Sequence, residues 1–188
     1  MVKIYTRKGD DGTTGLYFGG RVAKNSPRPR AYGEVDECQA VLGLARAQGD
    51  DERLDEIVVS LQRDLWVVMA DLATGDDNRA KLTDGATKVT QAMVDRLESI
   101  IDEANTWFEA PTEFVVPGGD LVSATLDVAR TVARRAERNA IAVGDHHSLA
   151  GAYLNRLSDT LWTLARWQEG TALTVRSLAD PTPAQETP

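Results

Sequence analysis

Apolar residues recur at three-to-four spacing over five stretches of the chain, and the N-terminal arm before them shows no such period. Val35, Cys38, Val41/Leu42 and Ala45 mark one face of a first helix, which Gly49 should stop. A second runs from about Asp51 through Leu54, Ile57/Val58, Leu61, Leu65 and Val68/Met69 to Gly75. The spacing predicts a third over about 90–107, with Met93/Val94, Leu97, Ile100/Ile101 and Ala104 facing inward. A fourth starts near Asp120, a residue type that caps helices, and reaches Gly144. With Ser148 as its cap, the fifth carries Leu149, Ala152, Leu154, Leu157, Leu161, Leu164 and Ala165 on a broad apolar face, closed by Gly170.

The intervening segments read as connections. Arg21 to Arg30 is polar and holds Lys24, Pro27 and Pro29, and residues 75–88 form a Gly/Asp-rich surface loop. Phe114-Val115-Val116 is too brief for a helix and is closed by Pro117-Gly118-Gly119. Asp180 to Pro188 has almost no apolar content and should be disordered. No internal repeat or second domain is visible. The expected fold is all-α, a five-helix antiparallel bundle with a phosphate-binding N-terminal arm. It forms one domain over 1–175, with the arm at 1–30, the bundle at 31–170 and a disordered tail at 176–188.

Composition narrows the function. A chain of 188 residues fits one domain, large enough to bury about 70% of its unfolded surface. With 21 basic and 29 acidic residues the net charge is −8, which disfavours a nucleic-acid binder but leaves room for a local cationic pocket. The lone Cys38 excludes an intramolecular disulfide and fits a reducing compartment. Met1 to Tyr5 lacks a signal-peptide core, and no apolar run is long enough for a membrane span. A soluble, cytoplasmic protein is expected, with no membrane or nucleic-acid partner.

Candidate chemistry starts in the arm. Thr6-Arg7-Lys8-Gly9-Asp10-Asp11-Gly12-Thr13-Thr14-Gly15 combines glycines, hydroxyls and cations and offers nothing to a core. Its backbone N–H groups can wrap anionic oxygens, with hydroxyls and cations adding donors. Neither the Walker pattern nor a dinucleotide fingerprint is present. By composition the stretch reads equally as a phosphate-binding loop or as a mobile Gly/Thr-rich arm.

Helix four carries Arg130, Arg134 and Arg138 at every fourth position, with Arg135 beside them. Only Glu137 offers an i,i+3 partner in that run, so the stripe looks short of acids within an acidic protein. Guanidinium forks suit a triphosphate, whereas the alternative is a solvated basic face. In helix five, Asn155, Ser158, Asp159 and Trp162 line a polar edge that reads first as interhelical contacts. Glu34, Asp36 and Glu37 open helix one, where acids complement the helix dipole; one could also hold an arginine of helix four. His146 and His147 match no metal spacing and read as a solvated turn, and Cys38 reads as core.

Five blocks together resemble the propanediol-utilisation type of ATP:cob(I)alamin adenosyltransferase, the corrinoid adenosyltransferase family. They are Tyr5 to Thr14, Arg30-Ala31-Tyr32-Gly33-Glu34-Val35-Asp36-Glu37, Phe114 to Gly119, Ala129 to Arg138, and Tyr153-Leu154-Asn155-Arg156-Leu157-Ser158-Asp159. The resemblance implies a cobalamin adenosyltransferase-like bundle assembling as a homotrimer, with active sites between subunits. ATP would be held by Thr6, Arg7, Lys8, Gly9, Thr14 and Lys24, and by Arg134, Arg135, Glu137, Arg138 and Asn155. Asp36 and Arg130 match a pair that bridges subunits, and Phe114 an aromatic that closes the lower face of the corrin ring. With Arg134, these three form the implied catalytic set. Lys8 stands where the family often has Thr or Asn, and the C-terminal tail matches nothing usable.

The implied reaction moves the 5′-deoxyadenosyl group of ATP to the cobalt of cob(I)alamin, releasing triphosphate. Arginines, a lysine and Mg²⁺, whose ligands the resemblance leaves unassigned, would stabilise the leaving group. A flavin reductase and an adenosylcobalamin-dependent mutase are the further partners it suggests. Two rivals share the loop and arginines: an ATP-sensing trimeric regulator without catalysis, and a purely structural trimer.

Overall fold

Prolines open the first helix of the bundle. The structure, a computed structural model, describes residues 4–178, and in it α1 spans Pro27–Gln48 with proline in its first turn. Proline is tolerated there because the first N–H groups of a helix have no intrahelical partner. The expected connection over 21–30 is therefore corrected: it holds a strand and the first turn of α1. Strand β2 (Arg21–Ala23) pairs antiparallel with β1 (Thr13–Gly15), placing Thr14 opposite Val22. The early start also moves Glu34, Asp36 and Glu37 beyond the first turn, which carries no acid. Their role is not to complement the dipole.

The remaining helices follow the apolar pattern, with corrections at their ends and at Ala152, which is exposed at the start of the fifth helix, not part of its apolar face. Helix α2 (Glu52–Leu72) is capped by Asp51, which accepts from Leu54 N at 2.9 Å. Residues 76–81 of the expected loop form a 3₁₀ turn, pinned where Arg79 bridges Asp71 (2.9 Å) and Asp145 (2.6 Å). Helix α3 (Gln91–Ala104) stops before Trp107, whose ring lies 4.7 Å from that of Trp167. Helix α4 (Leu121–Val143) has a full capping box from Asp120 and Ser123, and ends at Gly144 in the left-handed conformation. Helix α5 (Ala150–Glu169) is not capped by Ser148 in the expected way. Leu149 occupies the cap position, and the Ser148 hydroxyl accepts from Ala150 N at 3.1 Å. After Gly170, a short helix α6 (Val175–Leu178) replaces the start of the expected tail; Asp180 to Pro188 lie outside the described residues.

Helix α1 lies between α2 and α4, and α5 packs against α4 and α3 and more lightly against α2. Small residues permit the central contact: Ala129, Ala133, Ala136 and Ala140 of α4 are buried, as are Val35, Cys38 and Leu42 of α1. Tyr153 is fully buried, and its hydroxyl donates to Asp64 at 3.0 Å while Arg96 pairs with the same carboxylate. Burial, then the Asp64 charge, pushes the Tyr153 phenol up. Among the described residues no helix is long and apolar enough to cross a membrane.

Cys38 is core, as its position on the apolar face predicts. It is fully buried with its thiol 3.6 Å from the Ala129 carbonyl, and burial pushes it from 9.0 up to about 12. The unfolded thiol ionises first, so this group's contribution to stability is complete below pH 9.0 and falls as pH rises toward 12. Iodoacetamide at about pH 8 should therefore leave native Cys38 unmodified and label it only after denaturation, since the thiolate is the reactive form. Labelling of the native protein at the rate of the unfolded chain would contradict this burial.

Candidate functional site

The Gly/Thr-rich stretch folds as a hairpin with its own hydrogen bonds, not as a free arm. The Asp11 carboxylate accepts from Thr13 N at 2.9 Å and Thr13 Oγ1 at 2.7 Å, and these bonds hold its pKa below the usual carboxylate value. Arg21 donates to Thr13 Oγ1 and, at 2.5 Å, to the Lys8 carbonyl. Lys24 donates its backbone N–H to Gly12 O at 2.9 Å. Its side chain lies over Gly9, where a Cβ would sit 3.1 Å from Lys24 Nζ. Glycine thus keeps the backbone open beneath an ammonium. Thr6, Arg7 and Lys8 are exposed and Thr14 is half-buried. Arg7 adopts a φ of 60°, uncommon outside glycine, with its guanidinium 5.4 Å from the Tyr5 ring centre. Tyr17 N donates to Ala73 O at 2.9 Å and fastens the hairpin to the end of α2.

Helix α4 divides its four arginines between two environments. Arg135 donates to Glu37 and Glu34 of α1, each at 2.5 Å; these bonds, Glu37 first, raise its pKa further. Arg130 Nε donates to Asp127 Oδ1 at 3.0 Å. The stripe is therefore not short of acids at those two positions. Asp127 sits three residues before Arg130, and Glu34 and Glu37 arrive from another helix. Arg134 and Arg138 are exposed and have no ion pair among the described residues; Arg138 donates only to the Arg134 carbonyl, at 3.1 Å. Next to them Glu137 Oε1 accepts from Asn155 Nδ2 at 3.0 Å, the interhelical contact expected of α5. Asp36 is exposed on α1 and has no side-chain partner among the described residues.

A recess of about 520 Å³ opens beside the Phe114 to Gly119 block. Phe114 stands 88% exposed at its edge, with Val115, Pro117, Arg130, Trp162 and Arg166 among the lining residues. Sequence reasoning missed what lies behind it. Arg166, 2% exposed, donates to Asp127 Oδ2 at 2.6 Å and pairs with Glu169 at 2.8 Å. The available signal was charge on the apolar face of α5, at i,i+3 spacing.

The expected ATP ligands of the arm (Thr6, Arg7, Lys8, Gly9, Thr14 and Lys24) and those of α4 and α5 (Arg134, Arg135, Glu137, Arg138 and Asn155) make no contact with one another through hydrogen bonds or ion pairs among the described residues. The arm attaches to α2, and the free arginines project from α4.

Comparison with known proteins identifies the arrangement. A family model described as cobalamin adenosyltransferase matches residues 4–168. The corrinoid adenosyltransferase of Mycobacterium leprae is 43% identical over 173 residues, covering 88% of this chain and 91% of that protein. One from Citrobacter freundii is 40% identical over 174 residues, covering 91% and 97%. Among solved structures, a phenylalanine-to-alanine variant of the PduO-type ATP:corrinoid adenosyltransferase from Lactobacillus reuteri, complexed with cobalamin and ATP, is similar with a TM-score of 0.82. It is 31% identical, covering 93% of this chain and 99% of that one. With the fold, the five sequence blocks and these relatives in agreement, the chain belongs to the cobalamin adenosyltransferase family.

Proposed function

We propose that this protein is a transferase that moves the 5′-deoxyadenosyl group of ATP to the cobalt of cob(I)alamin, giving adenosylcobalamin and triphosphate. The observation that carries the reading is the pair Arg134 and Arg138, exposed and without acid partners beside two neutralised arginines in an acidic protein. A polyphosphate is the natural complement to such cations. Relatives solved with ATP and with cobalamin support both substrates.

In this reading the nucleophile is cobalt. Its electron pair attacks C5′ of ATP, the cobalt–carbon bond forms, and the C5′–O bond breaks with its pair leaving on triphosphate. Arg134, Arg138 and Lys24 hold the departing charge, and the arm's Thr6, Arg7, Lys8, Gly9 and Thr14 bind the phosphates. Arg135, already clamped by Glu34 and Glu37, orients the helix beside the phosphates. Glu137 and Asn155 complete the nucleotide pocket. No protein nucleophile is needed. Among the described residues no group of three or more His, Cys, Asp or Glu could hold a metal ion. Mg²⁺ is commonly held by nucleotide phosphates and water with few protein ligands, so it would arrive with ATP and share the departing charge with these cations.

A homotrimer would let the arm of one subunit meet α4 of another. Arg130 uses Nε on Asp127, leaving its terminal nitrogens for Asp36 of the partner subunit. Phe114, on the exposed edge of the recess, would cover the lower face of the corrin and exclude an axial ligand, easing reduction of cob(II)alamin. Cytoplasmic residence, a flavin reductase and an adenosylcobalamin-dependent mutase as client complete the proposal.

The direct test is an anaerobic spectral assay with ATP, Mg²⁺ and chemically reduced cob(I)alamin. Loss of the cob(I)alamin band with light-sensitive product and one triphosphate is expected. Saturable ATP binding without turnover would instead favour the regulatory trimer. Arg134→Ala should lower ATP-dependent turnover by about 10- to 150-fold, the equivalent of about 1.5–3 kcal/mol for a lost charge-assisted bond. Near-normal turnover would remove Arg134 from the site. Phe114→Ala should spare ATP binding but depress turnover when cob(II)alamin must be reduced on the enzyme; equal losses with cob(I)alamin would indicate general damage. Asp36→Asn should weaken the trimer in sedimentation more than it alters chemistry. An intact trimer with full activity would end that assignment.

A further inference from the structure

A chain of alternating charge, buried from Asp127 onward, connects the half-buried Arg130 to the segment that carries Phe114. Arg130 pairs with Asp127, Asp127 with Arg166, and Arg166 with Glu169. The Glu169 carboxylate, its side chain wholly buried, then accepts the Gly119 N–H at 3.2 Å. A Cβ at Gly119 would lie 2.5 Å from Glu169 Cγ and Oε1, so the approach requires glycine there. Two guanidiniums and two carboxylates balance, which lets the chain stay buried without net charge.

The other end of the Phe114 segment is tied to residues just beyond α5. The Phe114 carbonyl accepts from Val175 N at 2.9 Å, and Val116 N donates to Leu173 O at 2.8 Å. These partners follow the turn at Gly170, which closes α5 one residue after Glu169. The last turn of α5 thus governs the segment from both sides. Arg166 occupies its centre, with its guanidinium 5.9 Å from the Trp162 ring centre and its side chain lining the same recess as Phe114.

We propose that Arg166, acting through Asp127 and Glu169, is a positioning residue that fixes Arg130 and the Phe114 segment relative to one another. This rests on the reading of the recess as the cobalamin site. An apolar replacement could hold the helices together as well, because buried ion pairs rarely add stability over packed hydrocarbon. The hydrogen bond from Arg166 Nη2 to Asp127 supplies direction, which hydrocarbon does not, and the ion pair to Glu169 adds a second anchor. Arg166→Lys keeps the charge but cannot span Asp127 and Glu169 together. Phe114 should then shift relative to the corrin while the ATP residues stay in place.

The test compares wild type, Arg166→Lys, Glu169→Gln and Phe114→Ala, each as full-length protein. Turnover is measured from pre-reduced cob(I)alamin and from cob(II)alamin with a chemical reductant. The electron paramagnetic resonance spectrum of cob(II)alamin with ATP reports the axial nitrogen through its line splitting. In Arg166→Lys, turnover from cob(II)alamin should fall about 10- to 100-fold, the range a small misplacement produces. Turnover from cob(I)alamin and KM for ATP should change far less, and the nitrogen splitting should reappear as in Phe114→Ala. Equal losses from both cobalamin states with a wild-type spectrum would reduce Arg166 to a structural residue and overturn the proposal. A defect in Phe114→Ala alone would also overturn it while preserving the cobalamin reading; no selective defect in Phe114→Ala would bring down that reading itself. Should Arg166→Lys fail to fold, Glu169→Gln decides by the same readouts, because it cuts the ion pair and keeps the side chain's shape.

Discussion

Helix α4 packs closely on α1, with Ala129, Ala133, Ala136 and Ala140 among its buried residues and the Ala129 carbonyl at the contact. Everything at the candidate site depends on that approach. It lets the Cys38 thiol come within 3.6 Å of a backbone carbonyl and lets Glu34 and Glu37 reach Arg135. Larger residues on this face would force the helices apart or strain rotamers, at a cost of about 1–3 kcal/mol per overpacked site. The small residues also turn the long side chains of α4 outward. Arg134 and Arg138 are exposed because the opposite face is filled.

Charge is then sorted by partner. Arg130, Arg135 and Arg166 are each held by carboxylates from their own or a neighbouring helix. These pairs set geometry and leave little potential for a ligand. Arg134, Arg138 and Lys24 have no ion pair among the described residues, and a heavily charged leaving group would find its counter-ions there. In a chain with net charge −8, a few unneutralised cations mark a place more sharply than they would in a basic protein.

In the proposed function the same division would separate binding from reduction. The arm and the free arginines would address phosphate, whereas Phe114, Trp162 and the recess present apolar surface backed by buried ion pairs. Donors for a polyanion must stay wet and adaptable until it arrives. An aromatic that excludes an axial ligand must be fixed beforehand, since a loose ring would admit the ligand. For Phe114 in that proposed role, the backbone bridge from Val115 to Thr174 and the Glu169–Gly119 bond would meet that need.

Helical periodicity determined the five helices, their apolar faces and the burial of Cys38, because a period near 3.6 is a local property that tertiary packing only ratifies. Glycines at 144 and 170 and the cap at Asp120 likewise act within a few residues. The start of α1 was misjudged since Pro27 and Pro29 break a helix interior yet suit a first turn, and composition does not say which applies. The five motif blocks were enough to place the chain in its family, now supported over residues 4–168. Which arginines are free was not legible, because Glu34 and Glu37 lie about a hundred positions from Arg135 and meet it only through the α1–α4 contact. The Asp127–Arg166–Glu169 chain was hidden for the same reason: a charge on an apolar face looks misplaced until the helix opposite supplies its partner. Ion pairing is decided by distance in space, and only the packed bundle sets that distance.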